Sequence, residues 1–129
     1  FNDFFFFIKN LFLNPETSLV EYNLKFIEFF NEIFEINVPT IRSSELKVEG
    51  KSNELLINIC KRLEATHYLT GTGSRDYLNE ALFQENQIQV EWQNFVHPIY
   101  PQLHGEFIPY LSVIDLILNC GNESKKYFN

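Results

Sequence analysis

The sequence predicts an α/β protein built around a Rossmann-like, three-layer βαβαβ unit with a short parallel sheet. Segments with strand character at residues 38–43, 66–70 and 88–92 alternate with segments whose apolar residues recur at helical spacing. Strands joined by helical crossovers pair in parallel and carry helices on the sheet faces. We expect one or two helices before this unit and a buried helix after it.

The two leading helices are predicted over residues 3–13, where Asn14-Pro15 ends the helix, and over residues 18–35. The phenylalanine run at residues 4–7 is far shorter than the ~20 apolar residues that a membrane-spanning helix needs. We therefore interpret it as the core-facing side of a short helix.

Three further helices follow from capping signals and apolar spacing. Ser52 is a good N-cap for a helix whose apolar face includes Cys60. Residues 74–85 are expected to form a continuous or broken helix. Residues 111–119 are apolar nearly all round and indicate a buried helix, with Gly121 just beyond its end.

Composition restricts the class of protein. The chain has 129 residues, 45% of them hydrophobic, and its net charge of −7 comes from seventeen acids against ten Lys and Arg. Nucleic-acid binders carry a basic stripe, so we expect no nucleic-acid partner and no membrane insertion. The composition indicates a cytoplasmic protein. The sequence begins with Phe1 and contains no Met, so we expect a fragment.

Polar groups follow each predicted strand. Ligands on open α/β sheets gather at the carboxyl ends of the strands, so we expect a site where the three ends converge. Residues 71–75, here called the glycine loop, could hold a phosphate or carboxylate through backbone N–H groups and Arg75, although an ordinary turn capped by Ser74 is the alternative. The predicted ligand-binding residues at the first two strand ends are Ser43, Ser44, Gly71, Gly73, Arg75 and Tyr77.

The histidine–proline loop, residues 97–102, follows the third strand with the sequence HPIYPQ. Two prolines fix the backbone around His97, which could act as a general base near neutral pH or could instead hydrogen-bond a buried carbonyl. Downstream, Ser112 and Asp115 have the spacing of a capping box, which we favour over a nucleophile–carboxylate pair. Asp115 on so apolar a helix needs a partner, for which Arg75, His97 or a ligand amine are candidates.

Metal and disulfide sites are not expected. His67, His97 and His104 match no standard zinc-ligand spacing. Cys60 and Cys120 form no CxxC pair, and we expect two unpaired thiols.

Seven short stretches form an ordered pattern from about Leu24 onward. They are residues 41–46, 59–69, 76–78, 97–102, 107–112, 114–116 and 119–121. Taken together, this pattern resembles the WbqC-like family. The residues downstream of the third strand that match the family pattern are His97, Tyr100, Gln102, Tyr110, Ser112, Asp115 and Asn119, whereas Arg75 stands where the family often has Gly or Lys.

The resemblance implies a cytoplasmic bacterial protein whose family is linked to O-antigen and other surface-polysaccharide clusters, with a suggested glycine-transferase role. It also implies that residues 1–129 are one α/β domain, the C-terminal part of a longer protein, because the family's N-terminal motifs are absent. We therefore expect a transferase that adds an aminoacyl group to an activated sugar, without a cofactor. A non-catalytic module that binds a nucleotide sugar or a partner enzyme is the alternative.

In the predicted mechanism, His97 removes a proton from an attacking amine and Asp115 orients His97 or that amine. Tyr77, Tyr100 and Tyr110 line the pocket, with Tyr100 counted among the catalytic residues. Gln102, Ser112 and Asn119 are expected to contact the ligand.

Overall fold

The structure is a computed structural model that describes residues 2–128, with side chains described from residue 4. The predicted α/β class is confirmed. The described elements are α1 (Asn2–Leu13), α2 (Leu19–Ile33), α3 (Ser52–Arg62), β1 (His67–Thr70), α4 (Glu80–Glu85), β2 (Gln89–Trp92) and α5 (Val113–Cys120). Contacts divide the chain into two units. The first contains the chain up to Val38 and from His97 onward, and the second is Pro39–Val96.

The second unit contains a two-stranded parallel sheet. β1 and β2 pair with His67 opposite Gln89 and Thr70 opposite Trp92. The connection between them runs through a 3-10 turn (Thr72–Ser74) and α4, which is the βαβ crossover that parallel pairing requires. Two of the three predicted strands are therefore confirmed, together with their parallel direction.

The predicted first strand over residues 38–43 is wrong. Residues 38–42 have no regular structure, and Ser43–Glu45 is a 3-10 turn. Pro39 has no backbone N–H to donate to a neighbouring strand. The apolar side chains of Val38 and Ile41 remain 66% and 53% exposed, so burial does not stabilise a strand at this position. Residues 38–42 therefore form an exposed connection.

The helices of the second unit cover only one face of the sheet. Tyr68 and Val90 pack on a core formed by Ile57, Cys60 and Phe83, with the rings of Tyr68 and Phe83 stacked at 5.1 Å. On the opposite face Leu69 is 63% exposed. The other residues of β1 and β2 on that face are also exposed: His67, Gln89 and Glu91. The described residues thus form two layers in this unit and not the predicted three.

Two helix starts differ from the prediction. Lys51, not Ser52, occupies the N-cap position of α3; Ser52 has a φ of +51°, and no side-chain cap is formed. The helix predicted from Ser74 is broken, because the 3-10 turn ends at Ser74 and α4 starts only at Glu80, where the Asn79 side chain accepts a hydrogen bond from Leu82 N. An Asn side chain therefore supplies the cap for the short α4 helix.

Three helices end in a Schellman motif without glycine. In α3, Ala65 N donates to Cys60 O at 2.8 Å and Glu64 N donates to Lys61 O at 3.1 Å, with Glu64 at a φ of +54°. Glu35 after α2 and Gln87 after α4 occupy the same left-handed position. Glycine is the usual residue there because it has no Cβ.

Glu64→Gly is therefore expected to raise the free energy of unfolding by about 0.5–1 kcal/mol, since the steric cost of the left-handed conformation exceeds the entropy cost of glycine. Urea unfolding measures the change. The matched control is Glu54→Gly inside α3, which should lower stability by about 1 kcal/mol. A loss of stability in Glu64→Gly would contradict the prediction.

The first unit is built from α1, α2 and α5, and α1 contacts α5. The Phe7 ring stacks on Phe29 at 4.1 Å and Ile8 is buried, but Phe5, Phe6 and Phe7 are 40%, 57% and 45% exposed, so the aromatic run is not the core-facing side that was predicted. In α5, Leu116 and Ile117 are buried, as predicted for this helix. No described helix is both long enough and apolar enough to cross a bilayer.

Candidate functional site

The histidine–proline loop holds His97 among aromatic rings. The centroid of the half-buried His97 ring lies 5.1 Å from that of Tyr110 and 6.0 Å from those of Tyr100 and Phe107. Tyr110 is 79% exposed and has a φ of +61°, an unusual conformation for a tyrosine. Strained backbone at an exposed aromatic residue is a feature of ligand-binding surfaces. We call His97, Phe107 and Tyr110 the histidine face.

A polar cluster anchors this loop to α5. The Asp115 carboxylate accepts hydrogen bonds from Tyr100 Oη at 2.8 Å and Gln102 Nε2 at 3.0 Å, both on Oδ2, and from Asn119 Nδ2 at 3.1 Å on Oδ1. We call these four residues the Asp115 network. Asp115 thus finds its partners within the first unit, in tyrosine and amide groups that were not among the expected ones.

Both amides of the network are also bonded to the backbone of the loop. Gln102 Nε2 donates to Ile108 O at 3.0 Å and Gln102 Oε1 accepts from Ile108 N at 2.8 Å, which closes residues 102–108 as a backbone pair would. Asn119 Oδ1 accepts from Leu103 N at 3.1 Å, and Asn119 Nδ2 donates to Asp115 O at 2.8 Å. The donor and acceptor groups of both amides are hydrogen-bonded, and these bonds fix the loop.

Ser112 caps α5. Its Oγ accepts from Ile114 N at 3.2 Å, while Asp115 N donates to Ser112 O at 2.9 Å. Ser112 is thus the N-cap that the sequence analysis favoured, but the Asp115 half of the capping box is replaced, because its carboxylate accepts from Tyr100, Gln102 and Asn119 instead.

Burial raises the pKa of Tyr100 above its usual value of 10, and the hydrogen bond that it donates to the Asp115 carboxylate raises the pKa further. Tyr100 is therefore a neutral donor at physiological pH. The pKa in the folded protein exceeds that in the unfolded chain, so this contribution to stability is complete below about pH 10 and is lost as the pH rises toward the folded pKa.

We accordingly expect the free energy of unfolding to fall between pH 10 and 12 more steeply in the wild type than in Tyr100→Phe. Urea unfolding at a series of alkaline pH values measures both slopes, and tyrosinate absorbance follows the ionisation. Tyr22→Phe serves as a control, because its hydroxyl is outside the network. Equal slopes in wild type and Tyr100→Phe would contradict the prediction.

The glycine loop in the second unit opens a 3-10 turn and not a full helix, so the expected helix N-terminus is missing there. A Cβ built at Gly71 or Gly73 meets no described atom within 4 Å, and neither glycine has a positive φ, so the loop geometry does not require glycine. Arg75 lies over the Trp92 ring at 5.0 Å. The hydroxyls of Ser74 and Tyr77 are 3.0 Å apart.

Ser43 and Ser44 are exposed on the 3-10 turn at Ser43–Glu45. Their predicted role depended on a strand end that does not form. They belong to the second unit with the glycine loop, whereas the histidine face and the Asp115 network belong to the first. That all these residues share one cleft stays a prediction.

Burial raises the pKa of both Cys60 and Cys120, and both are unpaired thiols in the structure. Within residues 2–128 no group of three or more His, Cys, Asp or Glu side chains is placed to hold a metal ion.

Sequence reasoning missed Phe107 as part of the histidine face, and it missed the pairing of Gln102 with the backbone of Ile108. The aromatic and proline spacing across residues 97–110 was a usable signal for the first. The second depends on the path of the loop, which no local pattern specifies.

Fold and site together define an α/β protein in which a proline-fixed histidine stands on an aromatic face, supported by a tyrosine–aspartate–amide network. The chain belongs to the WbqC-like protein family, which it matches over residues 1–127. This confirms the resemblance seen in the sequence.

A curated relative is consistent with that membership. The chain is 30% identical over 112 residues to "Uncharacterized protein Rv1507c" of Mycobacterium tuberculosis (strain ATCC 25618 / H37Rv), an alignment that covers 86% of this chain and 48% of that protein. The chain thus spans about half the length of the curated relative it matches. No solved structure matches it significantly.

Proposed function

We propose that the intact protein is a transferase that acts on an activated sugar, with transfer of an aminoacyl group such as glycine as its reaction. The observation that carries this proposal is the placement of His97 beside the exposed Tyr110 ring on a loop anchored by the Asp115 network. A base must be held in position to be effective, and an aromatic face suits a sugar or acyl group. The link to O-antigen or another surface polysaccharide, and the cytoplasmic location, derive from the family resemblance.

The proposed step is attack by a sugar amine on the carbonyl carbon of an activated aminoacyl donor. The new C–N bond forms as the bond to the leaving group breaks, and the amine loses a proton to His97, which returns it to the leaving group. His97 Nδ1 is shielded from solvent, so the proposal assigns proton acceptance to Nε2.

Asp115 and Tyr100 take different roles from those first expected. Asp115 already accepts three hydrogen bonds, and Tyr100 donates one of them. In the proposal both are positioning residues, along with Gln102, Ser112 and Asn119. Tyr110 contacts the ligand, and the polar residues of the second unit bind an anionic group: Ser43, Ser44, Gly71, Gly73, Arg75 and Tyr77.

The alternative is a non-catalytic module that binds a nucleotide sugar or a partner enzyme of polysaccharide assembly. The three hydrogen bonds accepted by the Asp115 carboxylate favour it, because Asp115 and Tyr100, two of the three predicted catalytic residues, then hold the loop. That residues 1–129 are the C-terminal part of a longer protein also remains a prediction.

The two functions separate in one experiment. The intact protein is screened by thermal shift against nucleotide sugars and aminoacyl donors, singly and in pairs, and each mixture is then analysed by mass spectrometry. A product with the added mass of an aminoacyl group supports the transferase. A thermal shift without any mass change supports the module, and neither result in any mixture would overturn both the transferase and the nucleotide-sugar module.

A further inference from the structure

A concave site in the second unit is lined by none of the residues in the proposed function. It has a volume of about 560 Å³, within the size range of small-molecule pockets. Its walls come from the starts of β1 and β2, from α4, and from the turn between α4 and β2. We call it the glutamine pocket, and its lining residues are Thr66, His67, Glu80, Gln84, Gln87, Ile88, Gln89 and Val90.

Three glutamine residues line this pocket. Gln84 lies on α4, Gln87 follows the helix, and Gln89 begins β2, and all three are exposed. Within residues 2–128 none of these amides makes an intramolecular hydrogen bond, so each keeps both its donor and its acceptor available. A side-chain amide has an NH₂ donor and a carbonyl acceptor, so it can both donate a hydrogen bond to hydroxyl groups and accept one from them.

Other side chains of the wall are held in place. The Trp92 Nε1 donates to Glu80 Oε1 at 3.0 Å, and Thr66 Oγ1 lies 2.8 Å from His67 Nδ1. Ile88, which is buried, and Val90, which is partly buried, are the apolar residues of the lining. The pocket therefore combines fixed hydrogen-bonding groups with a small apolar surface.

The charge of the wall selects among ligands. No Lys or Arg lines the pocket, and Glu80 is acidic, so a phosphate or carboxylate would meet little attraction. Amides, a carboxylate, a hydroxyl and apolar residues match the hydroxyls and the C–H face of a sugar ring. We propose that the glutamine pocket binds a neutral saccharide.

Trp92 provides a direct test, because it is the one tryptophan of the chain and is bonded to a pocket residue. The protein is titrated with glucose, galactose and N-acetylglucosamine, and with inorganic phosphate as the charged probe. A saturable change of Trp92 fluorescence is expected with at least one saccharide at millimolar concentration. Because Arg75 lies over the Trp92 ring, a response to phosphate reports anion binding beside Arg75, and the saccharide response should persist when phosphate is present. No saturable response to any saccharide, or loss of that response in the presence of phosphate, would overturn the proposal.

The left-handed helix ends offer a matched pair of variants. Gln87→Gly and Glu64→Gly relieve the same backbone conformation in the same unit, so both should raise the melting temperature by about 2–4 °C. Only Gln87→Gly removes a pocket amide, and it should weaken saccharide binding about 3- to 10-fold, the loss expected for one hydrogen bond. Glu64→Gly should bind as the wild type does.

Gln84→Leu keeps the bulk of the side chain and should weaken binding to the same extent. Unchanged affinity in both Gln84→Leu and Gln87→Gly would refute the site. The inference stands apart from the proposed transfer reaction, because an inactive His97 variant should bind saccharide normally at this pocket.

Discussion

His97→Ala is expected to reduce product formation by the intact protein at least 100-fold, if the transfer reaction operates as proposed. A positioned general base contributes about 10²- to 10⁴-fold to a rate, and no other predicted catalytic group can replace it. Asp115 already accepts three hydrogen bonds and Tyr100 is a neutral donor with a raised pKa. Product formation is measured by mass spectrometry at saturating donor.

The melting temperature of the same variant should fall by only a few degrees. The loop is anchored through Gln102 and Asn119, and the His97 ring adds aromatic contacts of the order of 1 kcal/mol. His104→Ala is the matched control, since His104 is an exposed histidine in the adjoining segment and lies outside the histidine face. Full activity in His97→Ala would exclude it as the base and favour the binding module.

The helices of the first unit were predictable because local chemistry determines them. Asn14-Pro15 follows the end of α1, Ser18 caps α2 by accepting from Glu21 N, and Ser112 caps α5. Each signal lies within a few residues of the structure that it specifies. The strands His67–Thr70 and Gln89–Trp92 were found for a similar reason, since a β-rich run and a period of two are local patterns.

The predicted first strand does not form, because a strand needs a neighbouring strand to pair with. Residues 38–43 have the hydrophobicity of a strand, yet Ile41 is exposed and no ladder partner lies beside them among the described residues. Ser52 shows the same limit. Serine is a residue type that suits an N-cap, but Ser52 has a φ of +51° and does not occupy the N-cap position of α3. Tertiary context decides such positions.

The sequence singled out several residues of the candidate site, but it did not predict the hydrogen bonds between them. His97, Tyr100 and Asp115 stood out by residue type, by proline spacing and by the cost of burying a carboxylate. Their partners did not, because Asp115 meets Tyr100 from fifteen positions away and Gln102 from thirteen. Hydrogen bonds at such separations depend on the path of the loop.

The Asp115 network makes its own strong prediction. Asp115→Ala is expected to lower the free energy of unfolding by about 3 kcal/mol, because three donors lose a charged acceptor and Tyr100 is only 4% exposed. For a chain of this size that loss lowers the melting temperature by about 10 °C. Urea unfolding without any ligand measures it.

Glu106→Ala is the matched control for charge, since Glu106 is an exposed acid in the loop that the network closes, and its stability should change by less than about 0.5 kcal/mol. A double-mutant cycle with Tyr100→Phe should give a coupling energy above about 0.5 kcal/mol, as expected for residues in contact.

The activity of the Asp115→Ala variant distinguishes a positioning role of Asp115 from a role in proton transfer. If Asp115 positions the loop, product formation in Asp115→Ala should be reduced but still measurable when the variant is assayed well below its lowered melting temperature, and His97→Ala should stay inactive under the same conditions. An Asp115→Ala variant with unchanged stability and no product would place Asp115 in proton transfer, and the hydrogen bonds from Tyr100, Gln102 and Asn119 would then serve to orient a reacting carboxylate.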